Sequence, residues 1–442
     1  MWNKYSVVAL VASLALVGCD DDDEKSALQA VHASVDAPLA NVWINNSPSL
    51  VGVDYGVGSG YLSVDAGYNR VEVEVQLAGG ATTTVIPKTR LYLDEDNKYT
   101  VFVVGEAAAG GSEPVEALVI ERPAIGEANA SSLDVQVVHA SAGVPDVDLY
   151  VTAPGADINS ASALDTLAYK DSTGVVNIAG GDYQVRLTLA GTKTVAFDSG
   201  TVSLASNSEL TIAAIPNQDS GGSSLVKLLV LDGSSSSIIY NLTENAEVQV
   251  GHLVSDAPRV DVSLNSSEAI SDLDFKDLSP YTAIAGGDYD IGVYPDNTPG
   301  TLVIDEMNVA LNKGMDYGIF AVNKLATIEA LVIETERRPV ATSAVLNVIH
   351  AAPSASTVDV YLTATTDIST AAPAISGFDF KEYQQGIYVA AGDYYVTVTP
   401  TGTKTAAIGP ALVSLANETV YQAVAIDDDP TGFDLLLTTI TD

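Results

Sequence analysis

The chain has very few of the residues that usually cross-link small exported domains or carry out chemistry in them. Among 442 residues there is one cysteine, Cys19, and there are only four histidines. A single cysteine excludes an intramolecular disulfide, so the domains must be held together by core packing. Because the histidines are far apart in the sequence and have no cysteine beside them, no zinc site is expected.

Positive charge is also scarce. The sequence has 57 Asp and Glu residues against 19 Lys and Arg residues, which gives a formal net charge of -38. A field of this sign repels phosphate backbones, so nucleic acid is not expected as a partner. It equally disfavours adhesion to anionic lipid by charge.

The histidines mark a repeat. Each lies near the start of a related phrase, namely VHASVDAPLANVWI (His32), VHASAGVPDVDLYV (His139), GHLVSDAPRVDVSL (His252) and IHAAPSASTVDVYL (His350). A glycine turn that opens a strand follows in each copy, at Gly67, Gly181, Gly287 and Gly392. The histidine-to-glycine separations are 35, 42, 35 and 42 residues, so short and long copies alternate. This spacing indicates that a two-domain unit was duplicated.

The repeat spacing predicts the domain organisation. Four β-sandwich repeats are expected at 27–122 (short), 132–232 (long), 246–335 (short) and 344–441 (long). Polar segments at 123–132, 234–246 and 336–343 are the expected joints. Each repeat is long enough for its own core, so we expect separately packed domains arranged like beads on a string.

Strand periodicity predicts an all-β fold. VEVEV at 71–75 alternates strictly, and Val135, Val137 and His139 share one face of their strand. Turn signals recur throughout, and the best helix candidate is a short segment at 160–167. We therefore predict four tandem immunoglobulin-like or transthyretin-like β-sandwiches.

The first residues are typical of an exported lipoprotein. Residues 1–18 contain Lys4 and an apolar run too short to span a bilayer comfortably, which predicts a signal peptide. The run ends in LVGC, which resembles the bacterial lipobox and implies acylation of Cys19. The alternative is an ordinary signal peptide with an incidental cysteine. Residues 19–26 are expected to form an acidic tether, leaving the inner-membrane periplasmic face, the outer membrane and the cell surface open as locations.

The four histidines are interpreted as structural. All four lie on the apolar face of their strand, and a buried imidazole bonded to the next loop would hold the turn that follows. Catalysis would need a nucleophile nearby, but Ser34 and Ser141 have no counterpart after His252 or His350, and no nucleophile elbow occurs. We predict no catalytic residues and no enzyme activity.

Three further patterns are candidates for binding. Acidic residues close in sequence (Asp146 and Asp148, Asp256 and Asp261, Asp427–Asp429) leave Ca²⁺ open, although no EF-hand loop is present and no cofactor or metal site is assigned. In the GGDY turns we expect glycine to supply a positive φ, Asp to cap and Tyr to pack. The aromatic residues facing away from the predicted core are carbohydrate or protein contact candidates unless a neighbouring segment covers them: Trp43, Tyr150 and Tyr361.

The phrase VxVVHASxxxPxVDVYV, followed by an AGxY strand, resembles a bacterial family, domain of unknown function 4397. The resemblance rests on 137–151 with 179–189 and on 348–362 with 390–398, and more loosely on the two short copies. It implies β-sandwich modules of exported and cell-envelope proteins and supplies no catalytic residues. We expect a lipid-anchored spacer or a binding surface for a glycan, matrix polymer or protein. The alternative is an envelope enzyme or enzyme accessory with an unrecognised hydrolytic site.

Overall fold

The computed structural model describes residues 24–77, 80–123, 130–218, 222, 224–296, 298, 301–428 and 432–441. Over these residues the fold is all-β, as predicted, with eight sheets that pair into four sandwiches. The sandwiches belong to two compact units, the first extending to Leu242 and the second starting at Thr243. The predicted signal peptide, residues 1–18, and Cys19 lie outside the described residues.

The strands of the first unit cover two repeats. Those of repeat 1 are β1 Lys25–His32, β2 Ala40–Ile44, β3 Ser47–Val53, β4 Leu62–Asp65, β5 Gly67–Gln76, β6 Thr82–Leu93, β7 Lys98–Val104 and β8 Glu116–Arg122. Those of repeat 2 are β9 Ser132–His139, β10 Val147–Thr152, β11 Asp165–Leu167, β12 Val176–Ala179, β13 Gly181–Leu189, β14 Val195–Leu204, β15 Glu209–Pro216, β16 Val226–Leu231 and β17 Ser236–Ile239.

The strands of the second unit follow the same order. Those of repeat 3 are β18 Asn245–His252, β19 Val260–Leu264, β20 Ser267–Leu273, β21 Thr282–Ala285, β22 Gly287–Pro295, β23 Ile304–Leu311, β24 Asp316–Val322 and β25 Glu329–Glu334. Those of repeat 4 are β26 Ala344–Ala351, β27 Val358–Thr363, β28 Ile375–Phe378, β29 Tyr383–Val389, β30 Gly392–Pro400, β31 Ile408–Leu415, β32 Thr419–Asp428 and β33 Gly432–Thr439.

Each histidine strand lies inside one sheet of its sandwich. In repeat 1 the sheet order is β4-β1-β7-β8, with β1 parallel to β7 and antiparallel to β4. The facing sheet is the antiparallel set β3-β2-β5-β6. The other repeats keep this plan, and repeat 2 adds β17 at one edge.

The beads-on-a-string expectation is wrong within each unit. Every repeat has its own apolar core, but a further buried cluster joins the two sandwiches of a pair. In unit 1, Val31 and Phe102 of repeat 1 pack with Val138 and Leu229 of repeat 2, and unit 2 has an equivalent cluster. Strand β9 is accordingly buried along its whole length, because one face enters the core and the other enters this interface.

Two local expectations also need correction. The segment 160–167 is not a helix: a 3-10 turn occupies Ile158–Ser160, and strand β11 follows. Asp157 caps the turn by accepting from the amide of Asn159, and three residues are too few to continue as a helix. The serine stretch after residue 234 is not only a joint, since Ser236–Ile239 pairs with β16. Among the described residues no helix is long and apolar enough to cross a membrane.

Candidate functional site

The histidine rings fasten the loop that follows their strands. Nε2 lies 2.9 Å from the Pro38 carbonyl for His32 and 3.2 Å from the Pro145 carbonyl for His139, which matches donation from Nε2. Nδ1 of His139 accepts from the amide of Ser141 at 3.3 Å. His252 uses both nitrogens in the same way. Because the backbone engages both nitrogens in repeats 2 and 3, neither ring is available as a general base there.

The fourth repeat keeps only half of this arrangement. Nδ1 of His350 accepts from the amide of Ala352 at 3.3 Å. The residue six positions after the histidine is Ser356 instead of proline. Its backbone still favours the charged form of the ring, but no hydrogen bond of normal geometry reaches buried Nε2. The difference gives a natural contrast between the two long repeats.

A second motif supports each histidine, and sequence reasoning missed it. The ring of Tyr169 lies edge-on to His139 with centroids 6.2 Å apart, and Lys170 and Asp171 exchange backbone hydrogen bonds with His139. The side chain of Lys170 pairs with Glu116 of repeat 1 at 2.5 Å. The phrases YKD, FKD and FKE recur at this position in repeats 2 to 4 and could have been found from the sequence. The histidine site is therefore part of the contact between repeats.

Burial controls the protonation of these rings. It lowers the pKa of His139, His252 and His350 below the usual value, and this effect outweighs the proline carbonyl that favours the charged form of His139. The rings are therefore held neutral in the folded protein at neutral pH.

The phrase GTKT recurs in the two long repeats, at 191–194 and 402–405, and covers the strand that follows the histidine loop. Asp148 accepts from the amide of Gly191 at 2.8 Å and from the hydroxyl of Thr166 at 2.6 Å. Lys193 lies 4.3 Å from the ring centroid of Tyr150 and donates to its hydroxyl at 3.0 Å. Asp148 thus holds the 191–194 turn to its strand, and both of its carboxylate oxygens are already hydrogen-bonded within the protein.

Two aromatic contact candidates are consequently covered. Tyr150 is 3% exposed and Tyr361 is 2% exposed. Lys404 lies over the ring of Tyr361 at 4.3 Å, just as Lys193 lies over Tyr150. Of the two interpretations left open for these tyrosines, the one in which another segment covers them is therefore the correct one. Trp43 is half-buried, and its Nε1 donates to Glu74 at 3.1 Å.

The GGDY turns place their tyrosine against the strand before the turn. The Tyr183 hydroxyl donates to the Ala179 carbonyl at 2.7 Å, and repeats 3 and 4 have the same bond. The glycine expectation is only partly right, because φ of Gly287 is not in the left-handed region. In repeats 2 and 3 glycine is also needed one residue earlier, because a Cβ added at Gly180 or Gly286 would lie 2.8 or 2.7 Å from a backbone nitrogen. Repeat 4 has Ala391 at this position.

Repeat 1 departs from this turn, and the departure exposes its tyrosine. Tyr68 follows Gly67 directly, one position earlier than Tyr183 follows Gly181. Side chains alternate along a strand, so the shift turns Tyr68 outward. Asn69 takes the inward position, is 1% exposed, and donates to the Asp65 carbonyl at 2.8 Å.

An aromatic and basic face results on repeat 1. Tyr68 pairs in register with Tyr92, and Arg70 pairs with Arg90, so all four side chains lie on the outer face of β5 and β6. Tyr68 is 64% exposed and Tyr92 is 53% exposed, with ring centroids 4.9 Å apart. The Arg90 guanidinium lies 3.6 Å from the centroid of Tyr68. We call these four residues the Tyr–Arg face.

The other repeats carry different residues at these positions. At the positions equivalent to the Tyr68–Tyr92 pair, repeats 2, 3 and 4 carry the cross-strand pairs Asp182–Ser203, Asp288–Ala310 and Asp393–Ser414. At the positions equivalent to the Arg70–Arg90 pair, the long repeats carry the cross-strand pairs Gln184–Thr201 and Tyr395–Leu412. The Tyr–Arg face thus distinguishes repeat 1 from the long repeats, which supply matched substitutions.

The acidic pairs do not gather as the sequence suggested. The carboxylates of Asp261, Asp272 and Asp296 come within 4.8 Å of one another. Asp256, which the sequence placed beside Asp261, is not part of this group. Asp261 already accepts from the amide of Asp272 at 2.8 Å, and Arg259 pairs with Asp272 at 3.2 Å. Asp429 lies outside the described residues. Nothing further in this cluster points to an ion.

The comparison with known protein families agrees with the repeat architecture. The model of the family described as Domain of unknown function (DUF4397) matches residues 26–150, 133–238, 246–361 and 346–442. The chain belongs to this family. It is also similar to a solved structure, the Bacillus anthracis TIE protein, with 8% sequence identity, a TM-score of 0.16, and coverage of 88% of this chain and 68% of that chain. No curated protein matches the chain.

Proposed function

We propose that this protein is a lipid-anchored component of the bacterial cell envelope that binds an acidic glycan through the Tyr–Arg face of repeat 1. The observation that carries the proposal is an exposed tyrosine pair beside two arginines. The net charge of -38 repels an anionic polymer, so the attraction has to come from this local basic site. Tyrosine rings offer an apolar surface and a hydroxyl, and guanidinium groups recognise carboxylates and sulfates.

The arginine register supports an anionic partner. Arg70 and Arg90 lie directly opposite each other on neighbouring strands. Like charges in this position destabilise a sheet, and a bound anion would remove the repulsion. A neutral glycan would use the tyrosines but would leave the two charges unmatched.

The remaining repeats serve as spacers in this proposal. Cys19 would carry the lipid, and residues 19–24 would lead from the membrane to β1, because β1 begins at Lys25, two residues before the predicted end of the tether at 26. Cys19→Ser is expected to leave the precursor uncleaved or to release the protein from the membrane fraction. Normal processing together with unchanged membrane association would contradict the anchor.

The glycan proposal is tested with polymers of known charge. Full-length protein is passed through gels containing polygalacturonate or neutral dextran, and retardation is compared. Retardation by polygalacturonate alone is expected, and it should weaken as salt is added. Tyr68→Asp with Tyr92→Ser, which copies the pair of repeat 2, should remove most of it, as should Arg70→Gln with Arg90→Thr.

The matched control is Asp182→Ala with Ser203→Ala in repeat 2, which should leave retardation unchanged. Equal retardation of wild type and the tyrosine double variant would refute the role of the face. Retardation by neither polymer would refute the glycan and favour a protein partner for the same residues.

A further inference from the structure

A polar cavity of about 280 Å³ lies between repeats 1 and 2, away from the Tyr–Arg face. Repeat 1 contributes Tyr61, Lys98 and Arg122 to its lining, and repeat 2 contributes Glu209 and Thr211. The volume exceeds several-fold the roughly 30 Å³ that a water molecule occupies in the liquid. The cavity therefore has room for a small organic ligand.

Arg122 is the unusual member of this lining. It is 5% exposed, and Nη2 donates to the Leu210 carbonyl at 2.6 Å and to the Thr211 hydroxyl at 3.2 Å. Nη1 is buried without a hydrogen-bond partner. Both acceptors are neutral, and no carboxylate of the described residues forms an ion pair with the guanidinium within 4.0 Å. A buried and unbalanced charge is costly, and an anion beside it would lower that cost.

The carboxylates nearest to the cavity are already engaged. Glu209 pairs with Lys98 at 2.5 Å. Asp232 accepts from the amides of Ser234 and Ser235 at 2.8 and 2.6 Å and from both of their hydroxyls. The charge of Lys98 is thereby cancelled locally, and the charge of Arg122 is not.

The second unit shows how the fold balances a buried arginine when it does so internally. Arg337, in the segment that joins repeats 3 and 4, is 7% exposed and lies on the ring of Tyr281 at 3.8 Å. Its Nη1 pairs with Glu247 at 2.5 Å and with Asp316 at 3.4 Å.

In repeat 1 these two acidic positions are occupied differently. The strand register aligns Glu247 with Ala27 and Asp316 with Lys98. Arg122 aligns with Thr335, two residues before Arg337, so unit 1 buries its arginine at a neighbouring position of the interface. Neither carboxylate is present there, and a cavity lies beside the arginine.

We propose that this cavity binds the carboxylate of a small, hydroxyl-rich ligand, such as a sugar acid, with Arg122 as the anchoring residue. The guanidinium would match the carboxylate, and the remaining space, lined by the ring of Tyr61 and the hydroxyl of Thr211, would accept a sugar ring. The site is independent of the Tyr–Arg face and of the polymer proposed to bind there.

The test is isothermal titration calorimetry on the full-length protein with glucuronate, glucose and acetate. Glucuronate is expected to bind to one site, glucose to give no binding, and acetate to bind more weakly than glucuronate. Arg122→Met should lower the glucuronate affinity at least about tenfold, which corresponds to about 1.4 kcal/mol. Tyr68→Asp with Tyr92→Ser should leave it unchanged, which separates this site from the proposed glycan surface.

A second variant distinguishes loss of the anchoring charge from misfolding of Arg122→Met. Lys98 lies opposite Arg122 on the neighbouring strand, so Lys98→Asp supplies an internal carboxylate in the manner of Asp316. It should also lower the affinity at least about tenfold while keeping the amide protection of β7.

Three results would overturn the proposal: absence of glucuronate binding by wild type, unchanged affinity in Arg122→Met, or equal binding of glucose. Acetate binding as tightly as glucuronate would refute the sugar-acid ligand.

Discussion

Repeats 2 and 4 have the same strand order apart from the edge strand β17 and the same closing contacts, but they carry core side chains of different size. The strand register aligns Leu149 with Val360, Leu187 with Val398 and Ile212 with Ala423. The three residues of repeat 2 are at most 2% exposed. Their three smaller counterparts line an apolar cavity of about 50 Å³ between the sheets of repeat 4.

The comparison shows that the repeated phrase determines how the loops close but does not determine the volume of the core side chains. Asp148 and Asp359 accept from the amides of Gly191 and Gly402 at 2.8 and 2.9 Å, so the loop closure is the same in both repeats. Core volume is not fixed by these polar contacts. The frame of the sandwich and the packing inside it are therefore specified by different residues.

The largest expected effect comes from making repeat 2 resemble repeat 4. Ile212→Ala removes three carbons from a filled core and should cost about 2–5 kcal/mol. Hydrogen exchange of the amides of Ser132–His139 in the full-length protein measures the cost locally. Repeat 4 serves as the internal reference and should keep its exchange rates. A loss below about 1 kcal/mol would show that the site collapses or was never filled.

Part of this contrast could be predicted from the sequence. Strand alternation places Val137 and His139 on the core face, and they are 4% and 1% exposed. The burial of Tyr150 could not be predicted, because its cover comes from Lys193, 43 residues later. Local periodicity reports which face a residue occupies, but not which distant loop covers that face.

The Tyr–Arg face shows that exposed side chains, like buried ones, can be predicted only in part from local periodicity. The one-residue shift of Tyr68 relative to Tyr183 is visible in the sequence, and it predicts an outward side chain once the strand is known. Its neighbour Tyr92 is joined to it only by strand pairing. The surroundings of the Arg122 guanidinium likewise depend on which strands meet between repeats, so no sequence motif predicts them.

The histidines provide the second test of the comparison. His139 makes two side-chain hydrogen bonds and His350 makes one. His139→Ala should cost about 1–3 kcal/mol, because it leaves buried backbone groups unpaired and opens a void. His350→Ala should cost less. Exchange rates in Ser132–His139 and Ala344–Ala351 measure the two costs, and a larger loss in repeat 4 would contradict the assignment.

The same rings predict a pH dependence. Burial lowers the pKa of His139 and His350 in the folded state, so below the unfolded value of about 6.5 the unfolded chain binds more protons. The stabilisation is complete above about pH 6.5 and is lost as the pH falls toward the folded pKa, by at most about 1.4 kcal/mol per pH unit for each ring. Denaturation of the full-length protein between about pH 7 and pH 5 should show this loss. The double variant with alanine at both positions should show a shallower slope, and an unchanged slope would assign the effect to other groups.

The smallest effect is expected from making repeat 4 resemble repeat 2. Val360→Leu adds one methylene to the wall of the apolar cavity and should stabilise repeat 4 by about 0.8 kcal/mol, because it fills space that no atom occupies. The reciprocal Leu149→Val should cost repeat 2 about 1 kcal/mol, since it opens a void in a closed core. Protection of Ala344–Ala351 and of Ser132–His139 measures the two changes. Opposite signs are required, because only one of the two cores has room for the added carbon. If Val360→Leu instead lowers protection, the core of repeat 4 is already full and the contrast between the long repeats does not extend to packing.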